Sequence, residues 1–513
     1  MAMNRRTLLV STAAAAGTGG AVWLASKTAM QSMPGMDMKN MDMQGMDMTA
    51  GAAAPAGSRI RDLPAGKPIP ELARLTNTSA ENGVFEAVLE AGPANHEFAP
   101  GVVTPLLAYN DAVPGALIEV TEGDRVKVTF RNRIPGQEST IHWHGLDVPT
   151  DQDGGPMHPV ASGADRVYEF TIPPGSAGSY WYHPHPHGLT GQQVYRGLAA
   201  PFIVRSKSDP LPPELGDTVL FISTISLNAD GSIAENTLAD AMNGREGDHV
   251  LVNGAKQPVI SAAPGSSRRF RLYNATSARF LRLSFESHDM TLVGTDGGLI
   301  ATPVRGLKEL LLAPAERAEI VVDFHVAMGP VALLAMPYER GWMGGDKPAS
   351  ETLTLLTVFL SGPAQSLTPV PERLREIAAL GAPVATKRIE FGENMGMANG
   401  AMTMDFLIDG KTFDMNRIDL TSRAGDVELW EIANTTDMDH PFHIHGGQFQ
   451  IVEREIGGKI TPNPVLAWKD TVNTSSKETV RIKMRQASAG LQMYHCHILE
   501  HEDAGMMGML NVA

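Results

Sequence analysis

The 513-residue chain carries a formal charge of −15, with its 42 Lys and Arg scattered rather than clustered. It therefore lacks the basic footprint that nucleic-acid binding requires, and its field favours cations. A single cysteine excludes an intramolecular disulfide, and 51 Gly, 35 Pro and 27 Met beside 6% aromatics suit an all-β chain with many turns, long enough for two to four domains.

Residues 1–30 read as an export signal of the twin-arginine type, opening with Asn4-Arg5-Arg6-Thr7-Leu8-Leu9 and continuing as a mildly apolar Ala/Gly/Ser/Thr stretch. Nothing else approaches membrane-spanning length. The expectation is a soluble periplasmic protein, monomeric, with no nucleic-acid partner and no stable membrane insertion. Residues 31–59 form a low-complexity segment. Eight methionines, Met30 at its threshold and Met33, Met36, Met38, Met41, Met43, Met46 and Met48 within it, recur among Asp, Gly, Gln, Asn and Lys. It is a flexible linker or a lure for a soft metal, since thioethers prefer Cu(I). Small-residue cleavage sites near Ala29 and Ala54 decide whether it survives export.

After Pro64 the chain turns to short apolar or alternating runs broken by turn residues. Leu117–Val120, Arg125–Phe130, Arg166–Ile172, Arg268–Tyr273, Glu319–Phe324, Val427–Ala433 and Thr479–Met484 read as strands. One phrase occurs three times: a Gly-Asp or Pro-Gly turn, an alternating strand, then an asparagine. Gly123-Asp124 leads to Asn132, Pro264-Gly265 to Asn274, and Gly425-Asp426 to Asn434. A β-sandwich repeated three times is the economical reading, with domains at 60–206, 207–362 and 385–513. The Pro/Ala-rich connector 363–384 is expected to hold a short helix, Pro371–Leu380.

Eight of the sixteen histidines fall in four His-x-His pairs: His142-Trp143-His144, His183-Pro184-His185, His443-Ile444-His445 and His495-Cys496-His497. Residues two apart on a strand share a face, so each pair presents two imidazoles together and turns the residue between them away. Eight imidazoles supply three metals with three, three and two ligands, and copper accepts them well. Two pairs come from the first domain and two from the third, which places the cluster between those domains and leaves the middle domain as a spacer. In the last pair the residue turned away is the lone Cys496. With His440, His501 and the thioether of Met506 it makes the ligand set of a mononuclear blue-copper site, the axial Met holding the potential moderate. His187 extends the second pair and is a supporting or structural residue. His96, His158, His249, His288 and His325 lack metal-ligand context.

These motifs resemble those of the multicopper oxidases from about Pro100 to the C-terminus, and most nearly the periplasmic copper efflux oxidases of the CueO type and the bacterial laccases. The stretches that carry the resemblance are Ile141–Leu146, Trp181–His185, Leu407–Asn416 and His495–Met507. It implies an all-β fold of three cupredoxin-like Greek-key β-sandwich domains and four copper ions: one type 1, one type 2 and two type 3. By position, His142 and His443 would bind the type 2 copper. His144, His183 and His497 would hold one type 3 copper, and His185, His445 and His495 the other. The acidic proton donors fall on Asp153 and Glu502, as relays or as hydrogen-bond partners of ligand imidazoles.

The resemblance further implies that a substrate electron enters at the type 1 copper and crosses Cys496 into His495 or His497, four such electrons reducing O2 to two waters. The chain departs from the copper efflux type in lacking its long Met-rich insertion. Met395, Met397, Met402 and Met404 remain in that region. Met438 matches a ligand of the substrate copper, but Thr436 stands where that group has Asp, with Asp437 and Asp439 close by. The expected substrate-copper residues are thus Met438, Asp437, Asp439, Met395 and Met397. The expected function is oxidation of Cu(I) in copper tolerance, with phenols as further substrates. The alternatives are a laccase whose substrate is an organic phenol and a copper-binding carrier or division-type scaffold without catalysis.

Overall fold

The computed structural model describes residues 59–325, 329–345, 347, 349–398 and 401–513. The expected export signal and, apart from Arg59, the Met-rich segment lie outside the described residues. Strands of alternating burial dominate. In Arg125–Asn132 the side chains of Val126, Val128 and Phe130 enter the core while Arg125 stays exposed and Lys127, Thr129 and Arg131 are half-buried, the period of two that a sheet with one wet face requires.

The strands assemble into six sheets that pair as three sandwiches. Strands between Val84 and Arg205 make two four-stranded sheets. Those between Thr218 and Leu360 make a six- and a five-stranded sheet, and those between Ala385 and Val512 repeat that six-plus-five arrangement. Each sandwich encloses its own apolar cluster, around Trp143, Phe270 and Trp430 respectively. Residues 59–69 do not join the first sandwich. They run beside the middle one, with Ile60 N–H bonded to Leu227 O and Ile69 N–H to Val259 O.

The thrice-repeated asparagine has a structural explanation. Asn132, Asn274 and Asn434 are all buried, and each amide does the same work. Asn132 Nδ2 donates to Gln137 O and Val160 O, Asn274 Nδ2 to Arg279 O and Leu312 O, and Asn434 Nδ2 to Met438 O and Thr474 O. In each case Oδ1 accepts the backbone N–H two residues on. The side chain thereby pins the loop after its strand to a segment outside that strand's own sheet, at about 1 kcal/mol net per bond.

The connector differs from expectation. Residues 371–380 form no helix. Their backbone groups are taken up elsewhere: Leu374 N–H by Ala301 O, Leu380 N–H by Gln450 Oε1, and Ala378 O by Gln450 Nε2. Val370 and Leu374 pack beside Leu211, Leu215, Val293 and Val321. An extended strap whose polar groups are satisfied by its neighbours has no need of helical bonds. Among the described residues no helix is long and apolar enough to cross a membrane.

Candidate metal centres

Strand register gathers the histidines. In the first sandwich His142–His144 pairs antiparallel with Gly178–His183, setting His142 opposite His183. In the third, His440–Ile444 pairs with Gly490–Cys496, setting His443 opposite His495 and Phe442 opposite Cys496. The residue between each pair turns away as alternation demands. Trp143 enters the first core against Phe170 and Tyr168, and Ile444 and Cys496 enter the third.

All eight paired histidines are buried and meet between the first and third sandwiches. His142 Nε2 lies 3.4 Å from His443 Nε2. His183 Nε2 lies 3.4 Å from His144 Nδ1, and the His497 ring centre is 5.0 Å from that of His144 and 5.5 Å from that of His183. His495 Nε2 lies 3.3 Å from His185 Nε2 and 3.1 Å from His445 Nε2.

The other ring nitrogen of six of these residues is fixed as a donor. His142 Nδ1–H bonds Asp153 O, His443 Nδ1–H Asp470 O, His183 Nδ1–H Pro184 O, and His495 Nδ1–H Cys496 O. His445 Nδ1–H bonds Asp153 Oδ2 at 2.7 Å, and His144 Nε2–H bonds Asp470 Oδ1 at 3.1 Å. At three of these contacts, His142 with His443, His183 with His144 and His445 with His495, inward-facing lone pairs therefore confront one another across 3.1–3.4 Å with no proton between them. Imidazole nitrogens held at about 2.0–2.1 Å from one ion at tetrahedral angles are about 3.3 Å apart. Burial and the neighbouring rings hold His144, His183, His443 and His497 well below the ordinary imidazole range, and His445 at about 4. Neutral rings are what a metal needs. His497, buried with neither ring nitrogen hydrogen-bonded, has no other evident purpose. The residues present fit metal ions.

Beyond Cys496 lies the second centre. His440 Nδ1 is 3.4 Å and His501 Nδ1 4.0 Å from Cys496 Sγ, and Met506 is fully buried in the same core cluster. Burial pushes the Cys496 thiol far up, so a thiolate here requires a cation beside it. Both histidines send their other nitrogen outward. His440 Nε2–H is shared by Thr436 Oγ1 at 2.9 Å and Glu393 Oε1 at 3.1 Å. His501 Nε2–H donates to Met242 O at 3.2 Å, and Phe406 stacks on its ring at 3.8 Å.

The two expected proton donors are both buried against the cluster. Asp153 spends Oδ2 on His445, leaving Oδ1 without a hydrogen bond 3.4 Å from His142 Nδ1. Glu502 lies 3.1 Å from His495 Nδ1 and 3.4 Å from His185 Nε2, aligned for a hydrogen bond to neither.

The five residues expected at a substrate-copper site are dispersed. Met438 is fully buried. Asp437 is 84% exposed and paired with Lys477. Asp439 accepts from Tyr338 Oη, Asn473 Nδ2 and Ser476 N–H, so its carboxylate is consumed by the framework. Met395 is exposed, and strand register sets it opposite Met404 and sets Met397 opposite Met402. The side chain of Met397 lies outside the described residues. Sequence reasoning missed Glu393, which sits two residues before Met395 on the same face of that hairpin. It also missed Asp470 and Arg317, which have no ligand-like spacing. His187 is exposed against Phe413, outside the cluster.

The middle sandwich gives no imidazole to either centre: His249 bonds Ile60 O, and His288 stacks on His325. It is nevertheless more than a spacer, because Met242 O receives His501 and the buried Arg317 grips Asp470. A cavity of about 500 Å³ opens beside His501, lined by Met242, Met404, Phe406, Glu500 and Asp503. Burial raises Glu500 to about 7.

Multicopper oxidase family profiles match residues 90–209, 227–335 and 392–513. The chain is 32% identical to "Multicopper oxidase mco" of Staphylococcus haemolyticus, over 84% of this chain and 89% of that one. It is 28% identical to "Laccase" of Bacillus subtilis (87% and 97%) and 31% identical to "Cell division protein FtsP" of Escherichia coli (82% and 88%). Among solved structures, a multicopper oxidase from Campylobacter jejuni described as a metallo-oxidase superposes with a TM-score of 0.83 at 40% identity, covering 90% of this chain and 99% of that one.

Proposed function

The chain belongs to the multicopper oxidase family, and from that premise we propose that it is a cuprous oxidase acting in copper tolerance. It takes electrons one at a time from Cu(I), and from phenols as a second activity, and uses them to reduce O2 to water. The twin-arginine opening supports export to the periplasm. We assign His440, Cys496, His501 and Met506 to a type 1 copper, and His142 and His443 to a type 2 copper. His144, His183 and His497 take one type 3 copper, and His185, His445 and His495 the other. Four bound coppers would store the four electrons that reduction of O2 to water consumes.

The protein's own groups supply the rest. Cys496 is covalently joined to His495 and His497, so the two centres are one residue apart along the chain. Asp153 Oδ1 and both Glu502 oxygens are buried beside cluster imidazoles without hydrogen-bond partners. That suits carboxylates that pass protons to reduced oxygen.

One observation carries the choice of Cu(I). Strand alternation puts Glu393, Met395, Met404 and Phe406 on one face of the 385–408 hairpin. Glu393 touches His440 and Phe406 covers His501. A carboxylate and thioethers leading to a mononuclear-site ligand suit a soft cuprous ion that must leave as the harder Cu(II). The cavity beside His501 favours phenols as the second class, since aromatic, thioether and carboxyl side chains line it. A non-catalytic role such as the name FtsP suggests is opposed by the intact histidine set. Oxygen uptake by copper-loaded protein excludes that role, and its absence would favour it. The decisive comparison is turnover of Cu(I) and of dimethoxyphenol with and without added Cu(II). Poor Cu(I) turnover beside phenol oxidation that ignores added copper would overturn the cuprous reading.

A further inference from the structure

Arg317, on the middle-sandwich strand Arg317–Asp323, is among the largest fully buried side chains in the molecule. Its guanidinium is forked on Asp470 of the third sandwich, Nη1 to Oδ1 at 2.7 Å and Nη2 to Oδ2 at 2.5 Å. Its Nε donates to Ser179 O of the first sandwich at 2.9 Å. One side chain thus ties all three sandwiches at a single point. That point adjoins the histidine cluster, for Asp470 Oδ1 also accepts His144 Nε2–H and the Asp470 carbonyl accepts His443 Nδ1–H. Asp296 braces the fork by accepting Arg317 N–H at 2.7 Å and Lys469 Nζ at 2.9 Å. Gly145, next to His144, has a φ of +85°, and a Cβ there would collide with the Asp470 carboxylate and the Arg317 guanidinium.

We propose that Arg317 is a positioning residue for the oxygen-reducing cluster, acting through Asp470 to fix which nitrogens His144 and His443 turn inward. With Nε2–H committed to Asp470, His144 can offer only Nδ1, and with Nδ1–H committed to the Asp470 carbonyl, His443 can offer only Nε2. The forked geometry needs a planar guanidinium, which a lysine ammonium cannot replace. The middle sandwich thereby controls a centre to which it gives no ligand. The inference rests on reading the eight histidines as a copper cluster.

The test uses the full-length copper-loaded protein and compares Arg317→Lys, Asp470→Asn and a control, Arg269→Lys. The control disturbs a buried middle-sandwich pair, Arg269 with Glu319. Copper per chain, the blue and non-blue copper signals in electron paramagnetic resonance, and melting temperature are measured beside O2 uptake. Arg317→Lys and Asp470→Asn are expected to leave the blue signal intact, to alter the hyperfine splitting of the non-blue copper, and to lower kcat for O2 uptake about 10-fold without changing KM for the reducing substrate. Arg269→Lys is expected to lower melting temperature alone. Wild-type non-blue parameters in Arg317→Lys would overturn the proposal, as would equal signal loss in Arg317→Lys and Arg269→Lys in proportion to melting temperature. If Arg317→Lys does not fold, Asp470→Asn decides by the same criteria. Wild-type protein that takes up no copper would instead defeat the cluster reading itself.

Discussion

The eight-histidine pocket and the Cys496 site are equally buried but differently sealed. In the first, six donor nitrogens are spent on groups that are themselves interior: Asp153, Asp470 and the carbonyls of Pro184 and Cys496. In the second, His440 and His501 direct their donors toward the protein's margin, to Glu393 on a hairpin and to Met242 O on a short helix. A centre that handles O2 needs ligands that cannot shift and protons from controlled sources. A centre that accepts electrons from many directions needs ligands that reach near the surface. Cys496 belongs to the second by its sulfur and to the first by its neighbours.

Severing that link gives the largest expected effect. Cys496→Ser removes the thiolate while leaving every cluster histidine in place. Blue colour and turnover should vanish together, with non-blue copper retained in paramagnetic resonance. Oxidase activity persisting without the blue band would refute the assigned point of electron entry.

Next is the interior side alone. Asp153→Asn keeps the shape but loses the carboxylate, and kcat for O2 uptake is expected to fall roughly 10²-fold, in the range of a lost general acid. The blue band should stay unchanged. Loss of bound copper at the same time would mean that the contact with His445, rather than proton transfer, is what Asp153 contributes.

The contrast also explains what was legible in the sequence. Histidines in pairs on strands declare themselves, because alternation makes two residues apart mean one face, and the lone Cys between two of them marks where the centres adjoin. The thrice-repeated asparagine likewise signals one loop closure used three times. The supports carry no such signature. Glu393 lies 47 residues from His440, and Arg317 lies 153 residues from Asp470. Each is an ordinary charged residue on an alternating strand until the fold brings its partner. The connector misled for a related reason. Its composition tolerates a helix, but the hydrogen-bond partners that hold it extended, Ala301 and Gln450, come from two other sandwiches.

On the outward side, Glu393→Gln keeps size and hydrogen-bonding ability while removing the charge that favours a cation. Its kcat/KM for Cu(I) should fall about 10-fold, equivalent to about 1.4 kcal/mol of transition-state stabilisation, whereas phenol oxidation should stay within about 2-fold. A parallel fall for both substrates would make Glu393 a support for His440 rather than part of a cuprous entry.

The smallest effect belongs to Asp437. Its position beside Met438 marked it for substrate copper, yet its carboxylate is exposed and engaged with Lys477, and exposed pairs of this kind contribute about 0–1 kcal/mol. Asp437→Asn should therefore leave melting temperature and phenol turnover unchanged and shift KM for Cu(I) by no more than about 2-fold. Asp439, two positions from it on the other side of Met438, is buried and binds Tyr338, Asn473 and Ser476. Asp439→Asn should lower stability before it affects Cu(I) selectivity. If Asp437→Asn instead weakened Cu(I) turnover as much as Glu393→Gln, the entry route would run over the 436–439 loop, and the hairpin face would lose its claim to the substrate.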